Sequence, residues 1–182
     1  MAKVYAMIAD GTEEVECLTV VDLLRRAGIN TVLVSVDGKQ VKSSHNIVIQ
    51  ADATVEQVGL NDADLIFLPG GMPGSEHLAA NSKLLAAIGE QLKANKRVAA
   101  ICAAPAVVLG ANGFLRGKRA TCFPGFEGGC VGAEVVPDAR VVTDGNITTS
   151  RGLGCAVDLG LELIGLLVGE KTAQSVKSAI QY

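Results

Sequence analysis

Five cysteines and two histidines are the side chains with which this sequence could most readily do covalent chemistry, and Cys102 stands apart by its context. It falls where a buried apolar run, Arg97–Ile101, gives way to a helical segment starting at about Pro105. A sulfur placed there lies near the positive end of the helix dipole, where a thiolate is favoured. Its neighbours Ala100, Ala103 and Ala104 are small, as a tight strand–nucleophile–helix corner requires if the side chain is to project from a strained backbone. The same residues also suit an inert core cysteine among alanines, and the local sequence alone leaves both readings open.

The carboxylates narrow the choice. At 100° per residue Val20, Leu23, Leu24 and Ala27 form one inward stripe of a helix over Glu13–Ala27, and Glu13 and Glu16 extend that stripe to its N-terminus. A carboxyl buried in this way has a raised pKa and can keep a proton to donate or to shuttle. Glu14, off the stripe, reads as an acid complementing the helix dipole. Pro69-Gly70-Gly71 ends another apolar strand with two residues that cannot block a ligand, and consecutive amides there could hold a developing oxyanion. A Cys–His dyad is not indicated: Ala103 follows Cys102, His45 lies in the polar Ser43-Ser44 loop, and His77 reads as a surface residue. A carboxyl group and backbone dipoles are left to activate the thiol.

The elements that position these residues follow from hydrophobic periodicity. Strands are expected at Lys3–Ala9, Thr31–Val36, Ile47–Ile49, Asp64–Leu68, Arg97–Ile101, Arg119–Cys122 and Val141–Thr149, the last folded at Asp144-Gly145-Asn146. Asp37-Gly38 reads as a hairpin turn. Helices are expected over Glu13–Ala27, stopped by Gly28, over Ser82–Ala94, capped by Asn81 or Ser82, and over Cys155–Val168 and Thr172–Ala179. Strands apolar on both sides and alternating with helices imply a parallel sheet covered on both faces, a doubly wound α/β sandwich. Ligands bind such sheets beyond the carboxyl ends of the strands, which selects Asp10–Thr12, Pro69–Gly71 and Cys102–Ala104 as loops meeting at one rim.

At 182 residues with 49% hydrophobic and 19% charged positions, the chain reads as one folded domain, residues 1–182, and global disorder is excluded. A net charge of −3, no Trp, two Tyr and four Phe offer neither a phosphate-neutralising surface nor stacking platforms, so nucleic acid is not an expected partner. The longest nearly apolar stretch, Val98–Ala111, contains Pro105 and Gly110 and falls short of the roughly 20 residues that span a bilayer. The apolar run after Lys3 is too brief for a signal-peptide core, so a cytoplasmic location is expected. Cys17, Cys102, Cys122, Cys130 and Cys155 are odd in number and contain no CxxC pair, so they suggest neither a disulfide framework nor a metal cage. Val15 and Leu18 lie on the otherwise polar side of the first helix, with Asp22, Arg25 and Arg26, and mark a candidate interface between copies.

Gly11-Thr12-Glu13-Glu14-Val15-Glu16, Val21–Ile29, Leu68-Pro69-Gly70-Gly71, Ala99–Pro105 and Thr149-Ser150-Arg151-Gly152-x-Gly154 together resemble the DJ-1 branch of the DJ-1/ThiJ/PfpI superfamily, in the family's order and over nearly the whole chain. The resemblance implies a flavodoxin-like sandwich, a homodimer, Cys102 as nucleophile with Glu16 as its carboxyl partner, and glyoxalase or deglycase activity beside a role in sensing oxidants. Three departures matter. Phe123 precedes Pro124 where many relatives carry a His, so a substrate contact made by that imidazole is missing. Ala103 replaces the His that follows the nucleophile in the protease-like branch, which argues against peptidase activity. Cysteines that some relatives carry near Ser43 and Gln50 are absent, so redox roles at those positions do not transfer.

The expected function is therefore a cofactor-independent, metal-free conversion of methylglyoxal, glyoxal or early glycation adducts. In it Cys102 adds to the aldehyde, Glu16 shuttles the proton, and the amides of Gly70, Gly71 and Ala103 hold the oxygen. The alternative is a redox-responsive or chaperone-like regulator acting through oxidation of Cys102, and a third reading is a family member with an unreactive pocket.

Overall fold

The structure, a computed structural model, describes residues 2–182. Its elements in chain order are β1 (Lys3–Ile8), α1 (Glu14–Arg26), β2 (Asn30–Ser35), β3 (Gln40–Lys42), β4 (Val48–Gln50), β5 (Ala53–Thr54), β6 (Leu65–Leu68), α2 (Gly74–Ala80), α3 (Ser82–Lys93) and β7 (Arg97–Ile101). A wide π-helical segment over Pro105–Gly110 follows, then β8 (Arg119–Ala120), β9 (Glu134–Val135), β10 (Val141–Asp144), β11 (Ile147–Ser150), α4 (Ala156–Val168) and α5 (Glu170–Ala179).

Seven strands form one sheet in the order β10-β11-β7-β6-β1-β2-β5, parallel throughout except for the antiparallel β10–β11 edge pair. The period-2 alternation of side chains explains why this sheet is covered on both faces. Tyr5, Met7, Ile66, Leu68, Val98 and Ala100 point to one side, where α2, α3 and the Pro105–Gly110 segment pack. Val4, Ala6, Ile8, Leu65, Phe67, Ala99 and Ile101 point to the other, against α1, α4 and α5. Each large aliphatic buried in this way contributes about 1.5–3 kcal/mol. The result is the doubly wound, flavodoxin-like sandwich that the alternation implies.

Helix ends follow the local chemistry. Asn81 caps α3 by accepting from the Leu84 N–H at 2.9 Å. Gly28, at φ +74°, ends α1 in the left-handed conformation favoured there, and its N–H donates to the Arg25 carbonyl.

Several elements differ from expectation. Asp37-Gly38 does not fold β2 back on itself: β2 stays in the parallel sheet, and the hairpin is the separate β3–β4 pair that turns at Ser43–Ile47. Ala53–Thr54, too short to register in the sequence, forms the edge strand beside β2. The helix α2 is also absent from the sequence reading, because seven residues behind a proline carry too little periodicity. Arg119–Cys122 shortens to two paired residues, Arg119 and Ala120, which join β9 in a small parallel pair rather than the main sheet. The helical segment from Pro105 is six residues of wide turn, where Gly110 packs directly against the backbone of Gly129 and Cys130.

Candidate active site

Cys102 terminates β7 with φ +64°, a left-handed conformation that costs a residue with a side chain on the order of 1–3 kcal/mol. Neighbouring elements hold this strained corner. The Cys102 N–H donates to the Ser150 carbonyl at 3.0 Å, and its own carbonyl accepts from the Phe123 N–H at 2.8 Å. The corner expected from the run of alanines is therefore present, and the thiol projects from it half-buried.

Glu16 approaches from the opposite side. Helix α1 begins at this rim because Glu13 caps it, its Oε2 accepting from the Glu16 N–H at 2.6 Å, while the Glu13 N–H donates to the Gly70 carbonyl at 2.9 Å. Glu13 is thus the cap of the helix and not its first residue. The Glu16 side chain is 1% exposed. Its Oε2 accepts from the Gly70 N–H at 3.1 Å, and the Leu153 amide and the Cys102 thiol lie near enough to influence the ionisation of the carboxyl. Gly70 is required by this close approach. A Cβ there would lie 2.5 Å from Cys102 Cβ, 2.5 Å from Glu16 Oε2 and 3.0 Å from the Ile101 carbonyl. The two reactive groups face one another across a residue that has nothing to put between them.

Electrostatics here depart from the sequence expectation. Burial pushes the Glu16 carboxyl up to about 7; the Cys102 thiol opposes the rise, the nearby Glu13 charge reinforces it, and the Gly70 and Leu153 amides pull it down. Burial likewise raises the Cys102 thiol, to about 12, and the charge and hydrogen bond of Glu16 add to it, while the Gly71 and Ala103 amides favour the anion. The direction of the thiol shift runs against the thiolate that the helix dipole alone would favour. A thiol beside a carboxyl whose own shift is upward, toward neutrality, is a pair between which a proton could pass.

The three loops expected at the rim do converge: Gly71 packs against Gly11 and Thr12, and Gly70 lies beside Cys102. The three amides divide their work differently from expectation. Those of Gly71 and Ala103 face the sulfur, whereas the Gly70 N–H is committed to Glu16. Neither histidine serves the thiol. His77 is exposed, with Nδ1 2.9 Å from the Asp10 carbonyl, and His45 pairs with Glu14 at 3.0 Å. Glu14 lies in the first turn of α1, where an acid complements the helix dipole, and it is only 6% exposed, beneath the β3–β4 turn. Val15 and Leu18 are solvent-exposed, as their positions on α1 imply.

One contributor was missed in the sequence: Leu153, whose amide favours the Glu16 carboxylate. Phe123, singled out for standing where relatives carry a His, is 45% exposed and lies against Gly152, beside Glu16 Oε1. The signal available was Ser150-Arg151-Gly152 at the carboxyl end of a strand; its neighbour in the sheet, β7, carries Cys102.

Comparison with known proteins agrees with this geometry. The sequence profile described as the DJ-1/PfpI family matches residues 2–166. Protein DJ-1 homolog B of Arabidopsis thaliana is 36% identical over 180 residues, covering 98% of this chain and 41% of its own length, so this chain spans less than half of that relative. A protein of Pyrococcus horikoshii named as a deglycase is 31% identical over 150 residues, covering 82% of this chain and 89% of its own. The crystal structure of Drosophila melanogaster DJ-1beta superposes with a TM-score of 0.95 at 34% identity, covering 99% of this chain and 97% of that one. The motif order, the strained cysteine corner and these matches lead to one placement: the chain belongs to the DJ-1/PfpI family.

Proposed function

We propose that the protein is a cysteine-dependent glyoxalase or deglycase acting on methylglyoxal, glyoxal or the equivalent carbon of an early glycation adduct. The observation that carries this reading is the placement of Cys102, at a strained φ of +64°, and the buried Glu16 carboxyl on either side of Gly70, where a single Cβ would lie 2.5 Å from both Cys102 Cβ and Glu16 Oε2. The relative named as a deglycase supports the same reaction class.

In this reading Glu16 takes the thiol proton as Sγ bonds to the aldehyde carbon, and the carbonyl electron pair moves to oxygen. The Gly71 and Ala103 amides are the donors within reach of that oxygen. Reprotonation gives a hemithioacetal. Glu16 then removes the proton from the former aldehyde carbon and delivers it to the adjacent carbon, so one carbon is oxidised as its neighbour is reduced, leaving a 2-hydroxy thioester. Water hydrolyses this to lactate from methylglyoxal or glycolate from glyoxal and regenerates the thiol. No electron acceptor enters or leaves. A carboxyl near 7 suits both proton transfers, because it is a competent base and a competent acid at neutral pH.

Two further parts of the reading concern the assembly and its location. A homodimer would cover Val15 and Leu18 on α1, and the free thiols of all five cysteines suit the reducing cytoplasm. Among the described residues no helix is long and apolar enough to cross a membrane.

The test is lactate production from methylglyoxal by purified protein. Cys102→Ser abolishes turnover, and Glu16→Gln lowers it by a factor of about 100 or more. Full activity in Cys102→Ser overturns the assignment. Stoichiometric oxidation of Cys102 by mild peroxide in a protein with no turnover would instead identify the redox-regulator reading.

A further inference from the structure

The turn of the β3–β4 hairpin folds over the first turn of α1, just outside the thiol site. It is held there by the Ser44 N–H donating to the Thr12 carbonyl at 2.9 Å and the Gly11 N–H donating to the Lys42 carbonyl at 2.7 Å. This brings His45 Nδ1 to 3.0 Å from Glu14 Oε1 and 3.8 Å from Glu13 Oε1, with one ligand atom from each of the three residues within 4.8 Å of the others. Ser44 Oγ lies between, 3.3 Å from Glu14 Oε2 and 3.2 Å from His45 Nδ1.

An ion pair of His45 with Glu14 does not account for the whole cluster. Glu13 is 8% exposed, and its Oε1, facing His45, is buried without a hydrogen-bond partner, while its Oε2 is already occupied in capping α1. An unpaired buried carboxylate oxygen is costly, and a cation beside it removes the cost. We infer that Glu13, Glu14 and His45 form a binding site for a divalent first-row transition ion of the Zn²⁺ type.

The dimensions fit. Zinc–ligand bonds of about 2.1 Å at tetrahedral angles place donor atoms about 3.4 Å apart, and the observed 3.0 and 3.8 Å bracket that value. One imidazole nitrogen and two carboxylate oxygens suit Zn²⁺ better than Ca²⁺, which takes six or more oxygens, or Cu(I), which prefers sulfur. His45, with its side chain 67% exposed, gives the ion an entry path and leaves a coordination position open to water. The ion would pin the hairpin to the start of α1 and would take no part in the reaction at Cys102.

The experiment uses the full chain stripped with a chelator, titrated with Zn²⁺ by calorimetry and with Co²⁺ by visible absorption. The expected result is saturable binding of one ion per chain, retained in Cys102→Ser and weakened at least about tenfold in His45→Ala and in Glu14→Gln. His45→Ala removes only an exposed side chain, so the fold is preserved. Zn²⁺ should also raise the melting temperature of the wild type and leave that of His45→Ala unmoved. The inference is overturned by an absence of saturable binding, by binding unchanged in His45→Ala, or by binding lost in Cys102→Ser with the sulfur-to-cobalt absorption that marks a thiolate ligand.

Discussion

Replacing Glu16 by Gln separates the cost of this carboxyl from its use. Gln retains an oxygen to accept from the Gly70 and Leu153 amides but cannot ionise. The climb of Glu16 from the ordinary 4.5 to about 7 corresponds to about 3 kcal/mol of destabilisation once the group is charged. Because the folded-state value is raised, the associated stability is fully present below about 4.5 and is lost as pH climbs through about 7. The wild type should therefore match Glu16→Gln to within about 1 kcal/mol near pH 4.5 and fall behind it by about 3 kcal/mol near pH 8.5. Urea unfolding at both pH values, at one protein concentration and in chelated buffer, reads the difference, and groups that titrate identically in both proteins cancel. A gap between the two proteins that does not change with pH refutes the reasoning, as does a gap that grows toward acid. The comparison also shows what the site costs the fold: at neutral pH the protein keeps its proton acceptor at the expense of stability.

Gly70→Ala forces a methyl group to within 2.5 Å of both Cys102 Cβ and Glu16 Oε2; it should destabilise the protein by about 1–3 kcal/mol and depress kcat for methylglyoxal far more than it raises KM, as steady-state kinetics would record. Phe123→His restores a donor at an exposed position beside Glu16; kcat/KM for methylglyoxal should rise about tenfold, roughly one hydrogen bond's worth, with the melting temperature unchanged. Leu18→Glu places a charge on the exposed face of α1 beside Val15; if the proposed homodimer forms through this face, sedimentation should show a wild-type dimer and a monomeric variant, with the circular dichroism spectrum retained.

How much of this was legible in the sequence depended on how local the determining contacts are. Lys3–Ala9, Asp64–Leu68 and Arg97–Ile101 announce themselves as buried strands because each is apolar on both faces, and Cys102 and Glu16 follow from their places at the ends of such elements. The burial of Glu14 was not legible because what covers it arrives from the β3–β4 turn, about thirty residues further along, and periodicity carries no information about that contact. Leu153, the unspecified position of Gly152-x-Gly154, escaped for the same reason: its relevance comes from β11 lying next to β7. The ionisation of the pair was legible only in half. A stripe of apolar neighbours foretold a raised carboxyl, but the rise of the thiol comes from the burial and proximity that only the fold creates.

The chain segments that enclose the thiol are drawn from Glu16, from Gly70 and Gly71, from Phe123, and from Ser150 to Leu153, so more than 130 residues must be in register before that corner exists. Cys102 is open to reagents in the folded state, whereas Cys17 on α1 is fully buried; trapping of Cys17 by an alkylating reagent under native conditions, followed by peptide mapping, would thus report breathing of the entire sheet, giving this protein a built-in gauge of its own integrity.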